Sequence, residues 1–337
     1  MLRIIQTNST INYLIIFFLL LGFWTFKFIY MPENLTPIIT VQPPFTDFFE
    51  FLFKFKYLFT ILSFILYYGF AFYLIQTNIQ KMIVETAYQM PGIFLVIFSG
   101  IIINAQQISI DVISVCFVNF SLFTIFKTYK KDKISKYLFD AGCLFAIALI
   151  FSFQYLFFFI FIIIALALIR NINFKEILAL FIGVLTPLII FYTILYITYD
   201  DFILQVNEYF TKLSIILQNN NKFNETDLYI YLPIIVISFT TALYSLNIKP
   251  KTIFSTKIQY ILIILILFSI AFFLIPTTNK ESIIMIYIPL SLLLSEIFIE
   301  NNNKFKQILF YIILAFVILI QINSIILLYS LKSAELF

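Results

Sequence analysis

Runs of apolar residues, many of them close to twenty residues long, dominate this chain and limit the folds that it can adopt. The stretch from Ile258 to Ile275 contains no charged residue. A helix needs about 20 apolar residues to cross the roughly 30 Å of hydrocarbon in a bilayer. Of the 337 residues, 62% are hydrophobic and only 11% are charged, whereas a soluble domain has about 25% charged residues. The sequence therefore predicts an integral membrane protein.

Unbroken apolar runs favour helices over the strands of a β-barrel, in which apolar and polar residues alternate over about ten positions. We predict an all-α, polytopic transmembrane bundle that forms one integral membrane domain over residues 1–337. About eleven spans are expected, at 11–30, 57–75, 90–105, 108–126, 137–152, 154–169, 177–199, 228–247, 258–275, 283–299 and 307–331. The weakest division lies within 137–169, where Ser152 and Gln154 mark the predicted turn.

Lysine and arginine residues predict the orientation, since cytoplasmic loops hold an excess of them. The loop 127–136 carries five lysines against the single acid Asp132. With this loop in the cytoplasm, fourteen of the 21 basic residues and the amino terminus lie on the same side. We therefore expect a multi-pass protein of the bacterial inner membrane. The basic residues are distributed among loops, so the net charge of +4 is not interpreted as nucleic-acid binding.

Two outer loops, 31–56 and 200–227, are longer than tight turns and contain most of the candidate catalytic residues. Long connections in compact proteins tend to be functional or disordered. The first contains Asp47 and Glu50, and the second begins with Asp200 and Asp201. A carboxylate at the outer surface can deprotonate an acceptor hydroxyl, although acids in exposed loops are often only solvated.

Three acidic residues fall inside the predicted spans: Asp111, Asp140 and Glu296. Ionisable groups in a membrane are costly and often functional. All three are expected within one or two turns of a membrane surface, so contact with lipid headgroups is the alternative. Near Asp140, Gly142 predicts a close approach between two helices.

The absence of histidine removes many enzyme mechanisms, including Ser-His-Asp nucleophiles and His-ligated zinc or iron. The two cysteines, Cys116 and Cys143, fall inside apolar spans, so neither a disulfide framework nor a thiolate metal site is predicted. We expect no metal and no cofactor.

The segment Ser9 to Leu14 and a central block, which together extend over about the first 200 residues, resemble an uncharacterised family of bacterial polytopic membrane proteins, and the central block is the better match. The similar segments of this block are Tyr129-Lys130-Lys131, Leu138 to Gly142, Ile172 to Glu176, Gly183 to Pro187 and Tyr199-Asp200-Asp201. Members are sometimes labelled carotenoid monooxygenases, whose established enzymes use an iron held by four histidines. This chain has no histidine, so the resemblance implies a multispanning fold without that activity.

A second likeness, in outline, is to the GT-C glycosyltransferase superfamily, whose members have a cytoplasmic amino terminus and acidic residues in the first outer loop. This likeness implies that Asp47 or Glu50 acts as the base. The donor would be a sugar carried on a polyprenyl phosphate at the outer face.

Three functions remain open from the sequence. The first is a GT-C-like transferase that handles lipid-linked envelope material. The second is a transporter or flippase of envelope lipid or glycan, and the third is a non-catalytic subunit of a membrane complex. The expected partners are membrane lipids, polyprenyl-linked glycan and other membrane subunits.

Overall fold

The computed structural model describes residues 9–29, 56–81, 89–101, 106, 109–198, 225–248, 252–275, 278, 280–299 and 304–334. These residues form eleven α-helices and no strand, which confirms the all-α prediction for this part of the chain. The helices are α1 Ile11–Ile29, α2 Lys56–Lys81, α3 Met90–Ser99, α4 Ile110–Phe126, α5 Ser135–Phe151, α6 Phe157–Ile169, α7 Phe174–Thr198, α8 Glu225–Ser245, α9 Ile253–Leu274, α10 Ile284–Ile299 and α11 Lys304–Ala334. Two 3₁₀ turns, Phe153–Leu156 and Lys280–Ile283, precede α6 and α10.

Five of the described helices are long and apolar enough to cross a membrane. They include the segments Thr60–Gln80, Phe174–Ile197, Ile253–Leu274, Glu281–Phe298 and Lys306–Asn323. Each of the eleven helices overlaps a predicted span, but several are too short to qualify. The ten residues of α3 extend only about 15 Å, and this helix ends at Ser99, where the sequence predicts a span to 105. Gly100 and Ile101, which follow the helix, are buried, and residues 102–105 of the predicted span lie outside the described residues.

The central helix of the bundle is α10, of which 89% of the spanning window is buried. Its neighbours are α3, α4, α8 and α9. Every residue of α3 is buried as well, and α3 also packs against α1, α2 and α11. A helix that is apolar on all sides must be enclosed by other helices or by lipid. In this fold α10 and α3 take the enclosed positions.

One end of the bundle, here named the basic end, is formed by the loop 127–136, Arg170 and Lys257. The Arg170 guanidinium donates to the Lys131 carbonyl at 2.8 Å and forms an ion pair with Glu176 at 3.2 Å. Lys257 donates to the Ile169 carbonyl at 2.7 Å. The structure therefore groups the lysines of this loop, Arg170 and Lys257 at one end of the bundle; Arg3, Lys249 and Lys251, which the sequence assigns to the same side, lie outside the described residues.

The other end, here named the distal end, contains Asp111 and both 3₁₀ turns. The first turn follows Ser152, as predicted, and it reverses the chain, because Arg170 at the far end of α6 returns to the loop that precedes α5. The described helices on either side of both long connections meet these connections at the distal end. Helix α1 ends there, because Phe23 lies against Gly100 after α3 and Phe98 of α3 lies 6.0 Å from Tyr287 at the start of α10. Helix α7 starts beside Arg170 at the basic end and therefore ends at the distal end. Helix α8 begins at the distal end, because its residue Tyr231 contacts Phe273 near the end of α9.

The closest helix pair in the bundle is α5 with α7, and two glycines permit it. A Cβ atom added at Gly142 would collide with the backbone of Leu180 and Gly183, and one added at Gly183 would collide with the backbone of Phe139. The two helices start at the same end and run in parallel. The prediction that Gly142 allows a close helix approach is confirmed.

We expect Gly142→Ala to destabilise the protein, because the new methyl group meets backbone that cannot rotate away. Overpacking of this kind costs about 1–3 kcal/mol. Gly69→Ala is the matched control, since a Cβ atom at Gly69 meets nothing within 4 Å and should stabilise the helix by up to about 1 kcal/mol through helix propensity. Unfolding of each variant from mild detergent into sodium dodecyl sulfate measures the difference, and equal stabilities would contradict the proposed role of Gly142.

Labelling from either side of the membrane tests the orientation of the bundle. In a Cys116→Ala, Cys143→Ala background, we expect Lys133→Cys to react with an impermeant maleimide in inside-out vesicles. Leu156→Cys, which lies on the distal turn and is 42% exposed, should react in right-side-out vesicles. The opposite pattern would place the basic end outside, and labelling of both residues from one side would contradict the bundle's two-ended arrangement.

Candidate functional site

Asp111 is the most buried acidic residue among the side chains that the structure describes, with 3% of its surface exposed. It lies in the first turn of α4, where the Ser109 hydroxyl caps the helix by accepting from the Val112 amide at 3.3 Å. The helix dipole favours a negative charge at this position. The local sequence therefore holds a carboxylate inside the bundle at its distal end.

Tyr155, on the first 3₁₀ turn, lies against Asp111. Its hydroxyl donates to the Asp111 backbone carbonyl at 3.5 Å and is near enough to interact electrostatically with the carboxylates of Asp111 and Glu281. The ring is fixed by Phe272, whose centroid lies 5.1 Å away. Burial of this phenol keeps its position constant relative to both acids.

Glu281 enters the bundle on the second 3₁₀ turn, which packs against α4, α9 and α10. Its carboxylate interacts electrostatically with the hydroxyl of Tyr67 on α2. Tyr67 in turn interacts with Tyr287 in the first turn of α10. We name Tyr67, Asp111, Tyr155, Glu281 and Tyr287 the carboxylate–tyrosine cluster.

Several polar atoms around this cluster are buried without a hydrogen-bond partner among the described residues. The hydroxyls of Tyr67 and Tyr287 are two of them, and the Trp24 Nε1 atom is a third. The rings of Trp24 and Tyr67 lie 5.4 Å apart. Since an unsatisfied buried polar group costs about 1–3 kcal/mol, these donors and acceptors mark a region built for something other than maximal stability.

The structure separates the three predicted intramembrane acids. Asp111 belongs to the cluster, whereas Asp140 is half-buried in the second turn of α5, towards the basic end. Glu296 is 9% exposed and lies near the end of α10, also at the basic end, where Lys306 donates to the Ile297 carbonyl. These acids therefore do not form one site.

The four candidate catalytic acids of the outer loops, Asp47, Glu50, Asp200 and Asp201, lie outside the described residues. The connections that contain them leave the bundle at the distal end. Within the described residues, no group of three or more histidine, cysteine, aspartate or glutamate side chains is placed to hold a metal ion.

A model of a family of unknown function, DUF6427, matches residues 37–329. This chain belongs to that family. The matched range contains every residue of the carboxylate–tyrosine cluster, and membership agrees with the predicted resemblance to an uncharacterised family. No curated protein and no solved structure matches the chain.

Sequence reasoning missed four members of the cluster: Tyr67, Tyr155, Glu281 and Tyr287. Tyrosine is common in this chain, with 21 residues, so no single one is distinctive. Glu281 had a weak signal, because it is an acid in a short connection between two long apolar runs. Its proximity to Asp111 and Tyr155 depends on how the turn packs into the bundle.

Two tyrosine variants compare a hydroxyl that forms a hydrogen bond, that of Tyr155, with one that has no partner among the described residues, that of Tyr287. We expect Tyr155→Phe to destabilise the protein by about 0.5–1.5 kcal/mol, the net contribution of one hydrogen bond. Tyr287→Phe should be neutral or stabilising, because its hydroxyl is buried without a partner among the described residues. Both rings are fully buried, so detergent unfolding compares the hydroxyls alone. Equal losses in the two variants would contradict this assignment.

Proposed function

We propose that this DUF6427 protein is a GT-C-like transferase of the bacterial inner membrane, which uses a polyprenyl-phosphate-linked sugar at the outer face. The observation that carries the proposal is the convergence at the distal end. Two carboxylates, Asp111 and Glu281, lie there among tyrosines. The two long connections attach at the same end, and they contain the four candidate catalytic acids of the outer loops.

The proposed reaction needs one base and one leaving group. A carboxylate takes the proton from an acceptor hydroxyl as the oxygen attacks the anomeric carbon of the donor sugar. The bond between that carbon and the phosphate oxygen breaks, and polyprenyl phosphate leaves with the electron pair. General-base catalysis of this kind contributes about 10²–10⁴-fold to a rate.

Asp111 and Glu281 are the candidate bases among the described residues. Asp47 and Glu50 remain candidates on the first connecting segment, as the GT-C likeness implies, and Asp200 and Asp201 remain candidates on the second. Tyr67 and Tyr155 would orient the acceptor or the base, because each phenol lies within electrostatic reach of a carboxylate.

The distribution of charge favours surface chemistry over ion-coupled transport. Every acidic or basic side chain that the structure describes lies outside the helices or within six residues of a helix end. An ion-coupled transporter commonly places ionisable groups along a path through the membrane. The described middle of this bundle holds apolar and uncharged polar side chains instead.

The test uses the full chain in nanodiscs with polyprenyl-phosphate-linked sugars as donors, and release of polyprenyl phosphate as the readout. We expect Asp111→Asn or Glu281→Gln to reduce turnover by about 100-fold or more if that residue is the base. Asp140→Asn, at the other end of the bundle, should change it by less than about twofold. Thermal unfolding of each variant shows that loss of turnover is not loss of folding.

The other outcomes lead to the alternative functions. Movement of the labelled donor between leaflets without release of polyprenyl phosphate would make the protein a flippase. Absence of both activities, with stable copurification of other membrane proteins in mild detergent, would make it a subunit of a complex.

A further inference from the structure

We propose that the basic end of the bundle selectively binds an anionic phospholipid, with its headgroup at Lys136 and Lys175 and its acyl chains along α7. Exposed lysines are concentrated at this end: Lys130, Lys131, Lys133, Lys136 and Lys175. Of the nearby acids, Glu176 is already paired with Arg170, Asp132 is exposed in the loop, and half-buried Asp140 lies one helical turn from Lys136. The surface is therefore strongly cationic.

Contacts within the basic end hold this cationic surface in a defined shape. Arg170 bonds to the Lys131 carbonyl, while the Lys131 ammonium donates to the Tyr137 hydroxyl at 2.7 Å. The ring of Tyr129 stacks on Phe254, with centroids 4.4 Å apart. These contacts join the loop 127–136 to α5, α6 and α9, so the exposed lysines project from a packed platform.

An apolar stripe on α7 starts directly below these charges. Lys175 is followed at helical spacing by Leu178, Ile182, Leu185 and Ile189, and these four apolar side chains are all exposed. Only 17% of the α7 spanning window is buried. Residues three and four positions apart share one face of a helix, so the stripe is continuous with the lysine at its top.

Exposed lysines next to an exposed apolar stripe favour binding of a phospholipid over binding of a soluble anion. Phe174, beside Lys175, is 78% exposed, and Ile253 at the same end is 74% exposed. Large apolar side chains that flank cations match the boundary between headgroups and acyl chains. Each basic residue near an anionic membrane surface contributes an interaction equivalent to about a fivefold gain in affinity.

Native mass spectrometry of the full chain, titrated with dioleoyl phosphatidylglycerol or dioleoyl phosphatidylcholine, tests the proposal. We expect phosphatidylglycerol to bind more tightly, and Lys175→Gln to weaken its binding about fivefold. Lys136→Gln combined with Lys175→Gln should weaken it about 20-fold or more. Equal binding of the two lipids by the wild-type chain would overturn the proposal.

Lys304→Gln is the matched control, because Lys304 is also exposed in the first turn of a helix at this end of the bundle. It lies on α11, which packs against α3, whereas the proposed site lies on the packed pair α5 and α7. It should change phosphatidylglycerol binding by less than about twofold. An effect as large as that of Lys175→Gln would show general attraction to any lysine and overturn the selective site. Displacement of the lipid by equimolar inorganic phosphate at constant ionic strength would also overturn it.

Discussion

The enclosure of α10 is the packing constraint on which the rest of the structure depends. With 89% of its spanning window buried, this helix has no apolar face available to lipid, and its neighbours must cover it on all sides. Helices α3, α4, α8 and α9 do so. Helices farther out, such as α7 with 17% of its spanning window buried, keep most of their apolar side chains on the outside of the bundle.

The same constraint positions the candidate site. Because α10 starts in the bundle interior, the turn Lys280–Ile283 that precedes it is drawn inward against α4 and α9. Glu281 is carried with it to within reach of Tyr67 and Tyr155. A carboxylate that would be solvated in a surface loop is thereby held near Tyr155, the phenol that also bonds to the Asp111 backbone. The hydroxyls of Tyr67 and Tyr287, which have no hydrogen-bond partner among the described residues, lie in the same region.

Features that depend on local sequence were predictable, and features that depend on tertiary contacts were not. Apolar runs predicted a helix at each of eleven positions, the polar residues Ser152 and Gln154 marked a real turn, and Gly142 marked a real close approach. Hydropathy could not distinguish the ten-residue helix α3 from a full span, because the apolar run continues through Gly100 and Ile101, where the helix has already ended. The grouping of Glu281 with Asp111 required the packing of α10, which has no local signature.

The two ends of the bundle support two roles that are physically independent. Helix α4 joins Asp111 to the basic loop, and its 17 residues extend about 25 Å. At an effective dielectric constant of 20, unit charges about 25 Å apart interact by less than about 1 kcal/mol. Headgroup binding at Lys136 and Lys175 would therefore affect the carboxylate–tyrosine cluster only through movement of whole helices. The pair α5 and α7, held by backbone contact at Gly142 and Gly183, resists such movement, so loss of lipid selectivity and loss of distal chemistry should occur separately.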